Sequence, residues 1–401
     1  MTTAYVIGTA DTKGAELSFV ADVLQRHGIT VHSVDISTGS TDQGKDTTAA
    51  EVAACHPSGA NAVIGLEDRG TAVTAMAEAL SIWLSGRSDV DAVIGLGGSG
   101  GSAMIAPAMQ QLPIGIPKLL VSTVASGNVS AYVGTSDITM VYPVVDISGL
   151  NSISRRVLAN AAGALAGMLA AQADGDSPDD HRGTIALTMF GVTTPCVQAV
   201  SYALQSDYEC LVFHATGVGG RSMEKLVDSG AIEAVVDIST TEILDHIVGG
   251  TCDAGSERLS AILRCGTPWI GSVGALDMVN FREPASVPSK FAGRLFHQHN
   301  PSVTLMRASA EEMAAAGRWL AEKINLSPGP VRLVIPEGGV SMLDAPGQPF
   351  HAPDANEAMI NAIEESFQEK ADHKLVKAPL HINDPSFASL LVEEVRSVLK
   401  T

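Results

Sequence analysis

The apolar run at residues 92–96 (Ala-Val-Ile-Gly-Leu) passes directly into Gly97-Gly98-Ser99-Gly100-Gly101-Ser102 and then into a helical pattern opening near Ala103. No other stretch limits the fold as much. A strand that is apolar throughout is buried on both faces, and glycines that hand it straight to a helix mark a parallel sheet covered by helices. The alternation recurs from the start. Residues 4–8 lead through a Gly/Thr/Asp loop to a helix over 16–27, with Leu17, Val20, Val23 and Leu24 on one face and Gly28 stopping it. Residues 30–36 read as a strand and 71–84 as a helix with Ala72, Met76, Ala79 and Trp83 aligned; 118–124 and 140–145 complete a sheet, and 153–172 is a long alanine-rich helix.

At 401 residues the chain exceeds what one hydrophobic core normally supports. The polar, acidic stretch 174–183 contains Pro and Gly and reads as a linker, placing one domain at 1–173 and another at 184–401. The second domain repeats the alternation, with strands at 184–190, 210–214, 234–238, 269–273, 303–307 and 331–335 and helices at 356–369 and 387–399. The fold class expected is α/β: two Rossmann-like, doubly wound domains with mainly parallel sheets. The tetrapeptide Val-Asp-Ile-Ser occurs at 34–37, 145–148 and 236–239. Each reads as a strand end presenting an acid to the crevice where such sheets bind ligands.

Composition narrows the partners. Forty-four acidic against 25 basic residues give a net charge of −19, and no Lys/Arg run offsets it, which argues against nucleic acid. Five cysteines without a CxxC pair fit a reducing compartment. No apolar run reaches the ~18 residues of a membrane span, and the first residues read as a strand, so a cytoplasmic location with no membrane partner is expected.

The loops carry the chemistry. Gly97, Gly98, Ser99, Gly100 and Gly101 let backbone approach an anion at a helix N-terminus. No acid lies ~20 residues beyond them and no Walker lysine follows, so a phosphate cradle is read here without a dinucleotide fingerprint. In the first loop Lys13 can neutralise phosphate, Thr12 can donate a hydroxyl, and Asp11 can hold Mg²⁺ directly or through water. Arg69, just before a helix, is a further cation. In the second half His214 precedes Gly217, Gly219, Gly220 and Arg221, a loop read as gripping a substrate carboxylate or phosphate, with Asp237 about 20 residues on. Glu224, Asp237, Asp253 and His299 are the candidate catalytic groups. Arg258, Asp277, Asn280 and Asn300 lie in further polar loops, near Glu242, Asp245 and His246. His297 and His299, with Asp277, could bind a divalent ion. Cys196 follows Thr194-Pro195 at a helix start, where a thiolate is favoured, but it reads first as a buried structural cysteine.

These same loops resemble the Tm-1-like ATP-binding family. GTADTKG, the Arg69-Gly70 turn and GLGGSGGS are similar to its first half. TMFGVTTPCV, FHATGVGGRSMEKL, GALDMVNF, HNPSVTLMR, PEGGVSMLDAPGQPF and HINDPSFA are similar to its second, nearly end to end. The resemblance implies two Rossmann-like domains, ATP bound by the first at the Thr12-Lys13 loop, Arg69 and Gly98–Gly101, and a homodimer. The function expected is therefore an ATP-binding protein, an Mg²⁺-dependent enzyme acting on a small anionic metabolite in the cleft between the domains. The alternatives are a non-catalytic ATP-gated protein-binding module, as a plant member of the family suggests, and a nicotinamide-dependent oxidoreductase using the Gly217 loop.

Overall fold

A computed structural model describes residues 2–39, 44–174 and 182–399. Of the expected linker at 174–183, residues 175–181 lie outside the described residues. The chain divides into two compact units, Met1–Asp179 and Asp180–Thr401.

Unit 1 is a parallel sheet of β1 (Thr3–Gly8), β2 (Thr30–Asp35), β3 (Ala92–Gly97), β4 (Lys118–Ser122) and β5 (Ile138–Val141), in the order β2-β1-β3-β4-β5. Its helices are α1 (Ala10–Arg26), α2 (Ala49–Ala53), α3 (Arg69–Ser85), α4 (Ser99–Gln111), α5 (Ser130–Val133) and α6 (Ser152–Asp174). Leu17, Val20 and Leu24 of α1 cluster with Leu158, Ala162 and Leu165 of α6 on one side of the sheet. Met76, Ala79 and Leu80 of α3 cluster with Ile105 and Met109 of α4 on the other. Small side chains let these helices sit close to the strands, which is why so few aromatics suffice.

Several helices begin earlier than the sequence suggests. The Asp35 carboxylate accepts the Ala10 amide at 2.9 Å, so α1 starts at Ala10 instead of residue 16, although Lys13 keeps a non-helical φ of −132°. Asp68 caps α3 by accepting Thr71 N at 2.7 Å, so Arg69 opens the helix. Gly98 is the N-cap of α4, and the glycines form its first turn. The Val-Asp-Ile-Ser at 145–148 is not at a strand end: β5 stops at Val141, and Val144 takes a φ of +67° in the loop that follows.

In unit 2, β6 (Gly183–Met189), β7 (Tyr208–His214), β8 (Ala234–Ser239) and β9 (Trp269–Gly274) join β13 (Val331–Pro336) and β14 (His373–Ala378). All pair in parallel, in the order β14-β13-β9-β8-β6-β7. The intervening β10 (Met278–Phe281), β11 (Phe296–Asn300) and β12 (Val303–Arg307) form a separate antiparallel sheet, order β10-β12-β11. Residues 303–307 therefore do not belong to the parallel sheet the sequence pattern assigned them to. An apolar run has the same period in either sheet, and only its long-range partner decides. The helices are α7 (Thr194–Leu204), α8 (Val218–Asp228), α9 (Thr241–Val248), α10 (Ser260–Cys265), α11 (Ala310–Ile324), α12 (Pro353–Ser366) and α13 (Pro385–Leu399). Each unit is a doubly wound α/β fold, as expected.

Candidate functional site

In unit 1 the chain leaves β1 for β2 on one side and returns to β3 on the other. The crevice of such a sheet opens at this reversal, beyond the carboxyl ends of β1 and β3. Gly8 pairs with Leu96 across these strands, so the two loops singled out in sequence lie side by side there. The glycines differ in what they serve. A Cβ at Gly97 would meet Ser102 N at 2.7 Å and Gly101 Cα at 2.9 Å, and one at Gly95 would meet Ile105 Cγ2 at 2.7 Å. Those two are needed by the protein's own packing. At Gly98 and Gly100 the nearest atoms are Thr123 Oγ1 at 3.6 Å and Arg69 Nη2 at 3.8 Å, and neither residue has a positive φ. Nothing among the described residues requires glycine at these two positions, so their effect is to leave the first turn of α4 bare.

Among the helices that follow glycine-bearing loops, the N-termini of α1, α8 and α4 have different fates. At α1, Asp35 Oδ1 takes the Ala10 amide and both the amide and hydroxyl of Ser37. At α8, Glu242 Oε1 takes the amides of Gly217 and Gly220 at 2.6 and 3.0 Å. At α4, no side chain among the described residues accepts from Ser99, Gly100 or Gly101, and Gly98 brings no capping atom. A helix N-terminus without a protein acceptor, beside a guanidinium, is suited to an anion. Arg69 is exposed and has no ion pair among the described residues. Lys13 is half-buried, its Nζ donating to Ile147 O at 2.7 Å. Asp11 and Thr12 are exposed, and the Thr12 hydroxyl lies 2.7 Å from that of Thr9.

The corresponding loop of unit 2 is already filled. A Cβ at Gly220 would lie 2.1 Å from Glu242 Oε2, and one at Gly219 1.8 Å from His214 O. The expectation that Gly217, Gly219 and Gly220 grip a substrate anion is thereby corrected: the anion is Glu242, supplied by the chain itself. The same carboxylate displaces the pyrophosphate a nicotinamide cofactor would need there. Glu242 Oε2 in turn accepts from Arg258 Nε at 2.8 Å. Arg258, 1% exposed, also donates to Asp237 Oδ1 at 2.7 Å and to Glu224 Oε1 at 3.4 Å. Asp237 accepts the Thr188 hydroxyl at 2.7 Å and the Trp269 indole N–H at 3.1 Å. Glu224 takes the amides of Leu259 and Ala261, both at 2.7 Å, holding Leu259 at a φ of +73°.

Burial pushes the Glu224 carboxyl up, against the pull of Arg258 and the two amides. Burial alone would lower the guanidinium, but Asp237, Glu242 and Glu224 hold Arg258 well above its usual value. Glu224, Asp237 and Arg258, proposed from sequence as working groups, thus have their polar atoms spent on each other. A buried network whose donors and acceptors are matched fixes structure, and it has no open valence for a substrate.

Asp253 is exposed, its carboxylate 3.0 Å from His246 Nδ1 and accepting Gly255 N at 2.6 Å, while Arg221 Nη1 donates to its carbonyl at 3.0 Å. Asp277 is buried away from the glycine loops, accepting the Ser341 hydroxyl at 2.7 Å. Burial, then repulsion from Asp344, pushes it up to about 7. Burial likewise takes Asp245 up to about 7, although the Asn280 and Cys252 amides donate to it. His297 lies edge-on to Phe350 at 6.2 Å, and no group of three metal-binding side chains converges among the described residues, so the His297–His299–Asp277 trio is not assembled. Cys196 is buried and its thiol pushed up to about 12, a structural cysteine.

Four of the sequence candidates do meet. His214, Asn280, His299 and Asn300 line one cavity of ≈ 280 Å³ in unit 2, with Phe190, Val192, Phe281 and Leu305 among its apolar walls. Arg282 also lines it and was not singled out in sequence, because a lone arginine after an apolar run carries no local signal.

The family models matched by the chain agree with this arrangement of two units. That described as the UPF0261 N-terminal domain matches residues 2–174, and that described as the UPF0261 C-terminal domain matches 182–399. The chain belongs to the UPF0261 family. A UPF0261 protein of Mesorhizobium japonicum is 50% identical over 96% of both chains, and one of Rhizobium meliloti is 49% identical over 98% of both. The tomato protein named ToMV resistance protein Tm-1(GCR237) is 42% identical over 97% of this chain, which spans 55% of the tomato protein. The Tm-1-like resemblance read from the loops therefore holds over the whole chain.

Proposed function

We propose that this protein binds ATP on unit 1 and that unit 2 recognises a small anionic metabolite, the pair making it an ATP- and Mg²⁺-dependent enzyme. One observation carries the nucleotide half: Gly98 and Gly100 leave the first turn of α4 bare, unoccupied by any acceptor among the described residues, with Arg69 beside it. The phosphates would take the amides of Ser99, Gly100 and Gly101, Arg69 and Lys13 would balance their charge, and Asp11 with Thr12 would hold Mg²⁺. A chain of net charge −19 needs such local donors to keep a tetra-anion. For the metabolite half, His214, Asn280, His299 and Asn300 replace the buried Glu224, Asp237 and Arg258 as the contacting groups.

A second reading is a non-catalytic ATP-gated module that binds another protein; the tomato relative is named as a ToMV resistance protein. Turnover separates the two. ATP with Mg²⁺ should raise the melting temperature by mass action, and sugar acids, keto acids or their phosphates should then elicit ATP consumption in one combination. ATP that protects the fold yet stays intact with every metabolite supports the module; no protection by ATP defeats both. We place the protein in the cytoplasm, which fractionation of cells checks, and propose a homodimer, which light scattering of the purified protein checks. No helix among the described residues is long and apolar enough to cross a membrane.

A further inference from the structure

We propose that β7, at the edge of the parallel sheet of unit 2, pairs antiparallel with β7 of a second copy about a two-fold axis at Leu211, joining the two sheets into one. The proposal rests on the homodimer reading above and says where its contact lies.

An edge strand presents unpaired N–H and C=O groups to any other strand, so proteins cover, shorten, bend or charge their edges. The other sheet edges among the described residues are guarded in these ways. β2 is covered: Thr47 donates to Ser33 O and accepts from Asp35 N, each at 3.0 Å. β5 has only four residues. β10 is buried, with Thr251 N on Asn280 O at 2.7 Å, and the register of β11 breaks between Gln298 and Asn300. β14, at the far edge of the same sheet as β7, carries the exposed Lys374 and Lys377. β7 has no such guard. It runs seven residues in unbroken register with β6, without Pro or Lys, and Tyr208, Cys210, Leu211, Val212 and Phe213 make it apolar.

The free side of β7 is ready for a partner. The Ala215 amide donates to Met189 O at 2.8 Å, which sets the phase: Leu211 and Phe213 turn their amides toward β6, and Cys210 and Val212 turn theirs outward. No hydrogen bond reaches those outward backbone groups among the described residues. Val212 is 44% exposed, and Val218, which opens α8 beside the strand, is 47% exposed. Leu211, Phe213 and Cys210 pack against the core and stay only partly buried.

Charge selects a second copy as the occupant. Glu209 is exposed and lies near the start of β7, whereas His214 ends the strand and Arg221 follows in the first turn of α8, both exposed. Antiparallel pairing centred on Leu211, the middle residue, joins Cys210 of each copy to Val212 of the other. It lays Glu209 of each copy at the end of β7 that carries His214 and Arg221 in the other. A register centred on Glu209 would set two carboxylates face to face, and a parallel pair would align like charges. The strand is self-complementary in the antiparallel sense, and a two-fold contact closes with two copies, leaving neither β7 open.

The test is sedimentation equilibrium of the whole protein without ATP. Val212→Lys sets a charge on each side of the axis and should raise the dimer dissociation constant about tenfold or more, with the far-UV circular dichroism unchanged. Val212→Thr, which suits a strand and adds no charge, should stay near the wild-type value. Leu211→Cys in a Cys210→Ser background should give a covalent dimer on oxidation, because residues on the axis face each other with about 4.5 Å between Cα atoms. A dimer that Val212→Lys leaves as tight as the wild type, or a folded Leu211→Cys protein that does not crosslink, overturns the β7 contact and leaves the homodimer reading standing. A monomeric wild type defeats both. Should Leu211→Cys fail to fold, Val212→Lys alone decides.

Discussion

Asp277→Asn tests the physical account of unit 2 most directly. The carboxyl is fully buried, receives one hydrogen bond from Ser341, faces Asp344, and has one oxygen without a partner. Burial and Asp344 raise it from 3.8 to about 7, so the folded protein retains a proton that the unfolded chain releases near pH 4. The stability this proton contributes is complete below the unfolded value, about 4, and is lost as pH rises through about 7. Three pH units at about 1.4 kcal/mol each give about 4 kcal/mol in all, of which about 3 kcal/mol disappears between pH 5 and pH 8. Asparagine keeps the shape and the acceptor for Ser341 without titrating. Asp245 titrates in both proteins and cancels in the comparison. In a Trp83→Phe background, Trp269 and Trp319 report unit 2 alone, and urea unfolding gives the two stabilities at each pH. The variant should gain about 2–3 kcal/mol on the wild type from pH 5 to pH 8, with an unchanged denaturant slope. A difference independent of pH would refute the raised value. A variant that loses ground at pH 8 would show instead that ionised Asp277 is paired with Arg307, whose Nη2 also lacks a partner.

Other outcomes follow from the same geometry. Gly98→Val and Gly100→Val should fold, because their nearest neighbours stand at 3.6 and 3.8 Å, yet abolish the ATP-induced rise in melting temperature; Gly97→Ala, 2.7 Å from backbone, should instead lower apo stability. Arg69→Ala should weaken ATP binding about tenfold or more by calorimetry with melting temperature unchanged, whereas Lys13→Ala should lower both, since Lys13 also holds Ile147 O. Arg258→Met leaves three buried carboxylates uncompensated and should cost about 3–5 kcal/mol or prevent unit 2 from folding, seen as lost protection in hydrogen exchange. Wild-type stability in that variant would mean the network is not what holds α8, α9 and α10 together.

Most strands of the two parallel sheets, the two-unit organisation and the glycine turn at 97–101 were legible in the sequence because they are local, whereas β10, β11 and β14 were not read as strands and 303–307 was given to the wrong sheet. An apolar run, a turn residue and a helical period declare themselves within ten or so positions. The same information could not rank the loops. Gly97–Gly101 and Gly217–Gly220 look alike as strings. One is left bare and the other is filled by Glu242, a residue 22 positions beyond Gly220 that folding brings to its amide. Glu224, Asp237 and Arg258 looked like a constellation for chemistry because charges in strand-end loops usually face solvent or ligand. In the structure they neutralise each other, which depends on three helices and a strand meeting. Arg282 and the free oxygen of Asn280 gave no sign in sequence, since an unpaired group is defined by what is absent around it in space. Sequence determined where backbone amides and charges would cluster; tertiary structure decided which of them were already satisfied, because only long-range packing supplies or withholds the partner that a buried polar group requires.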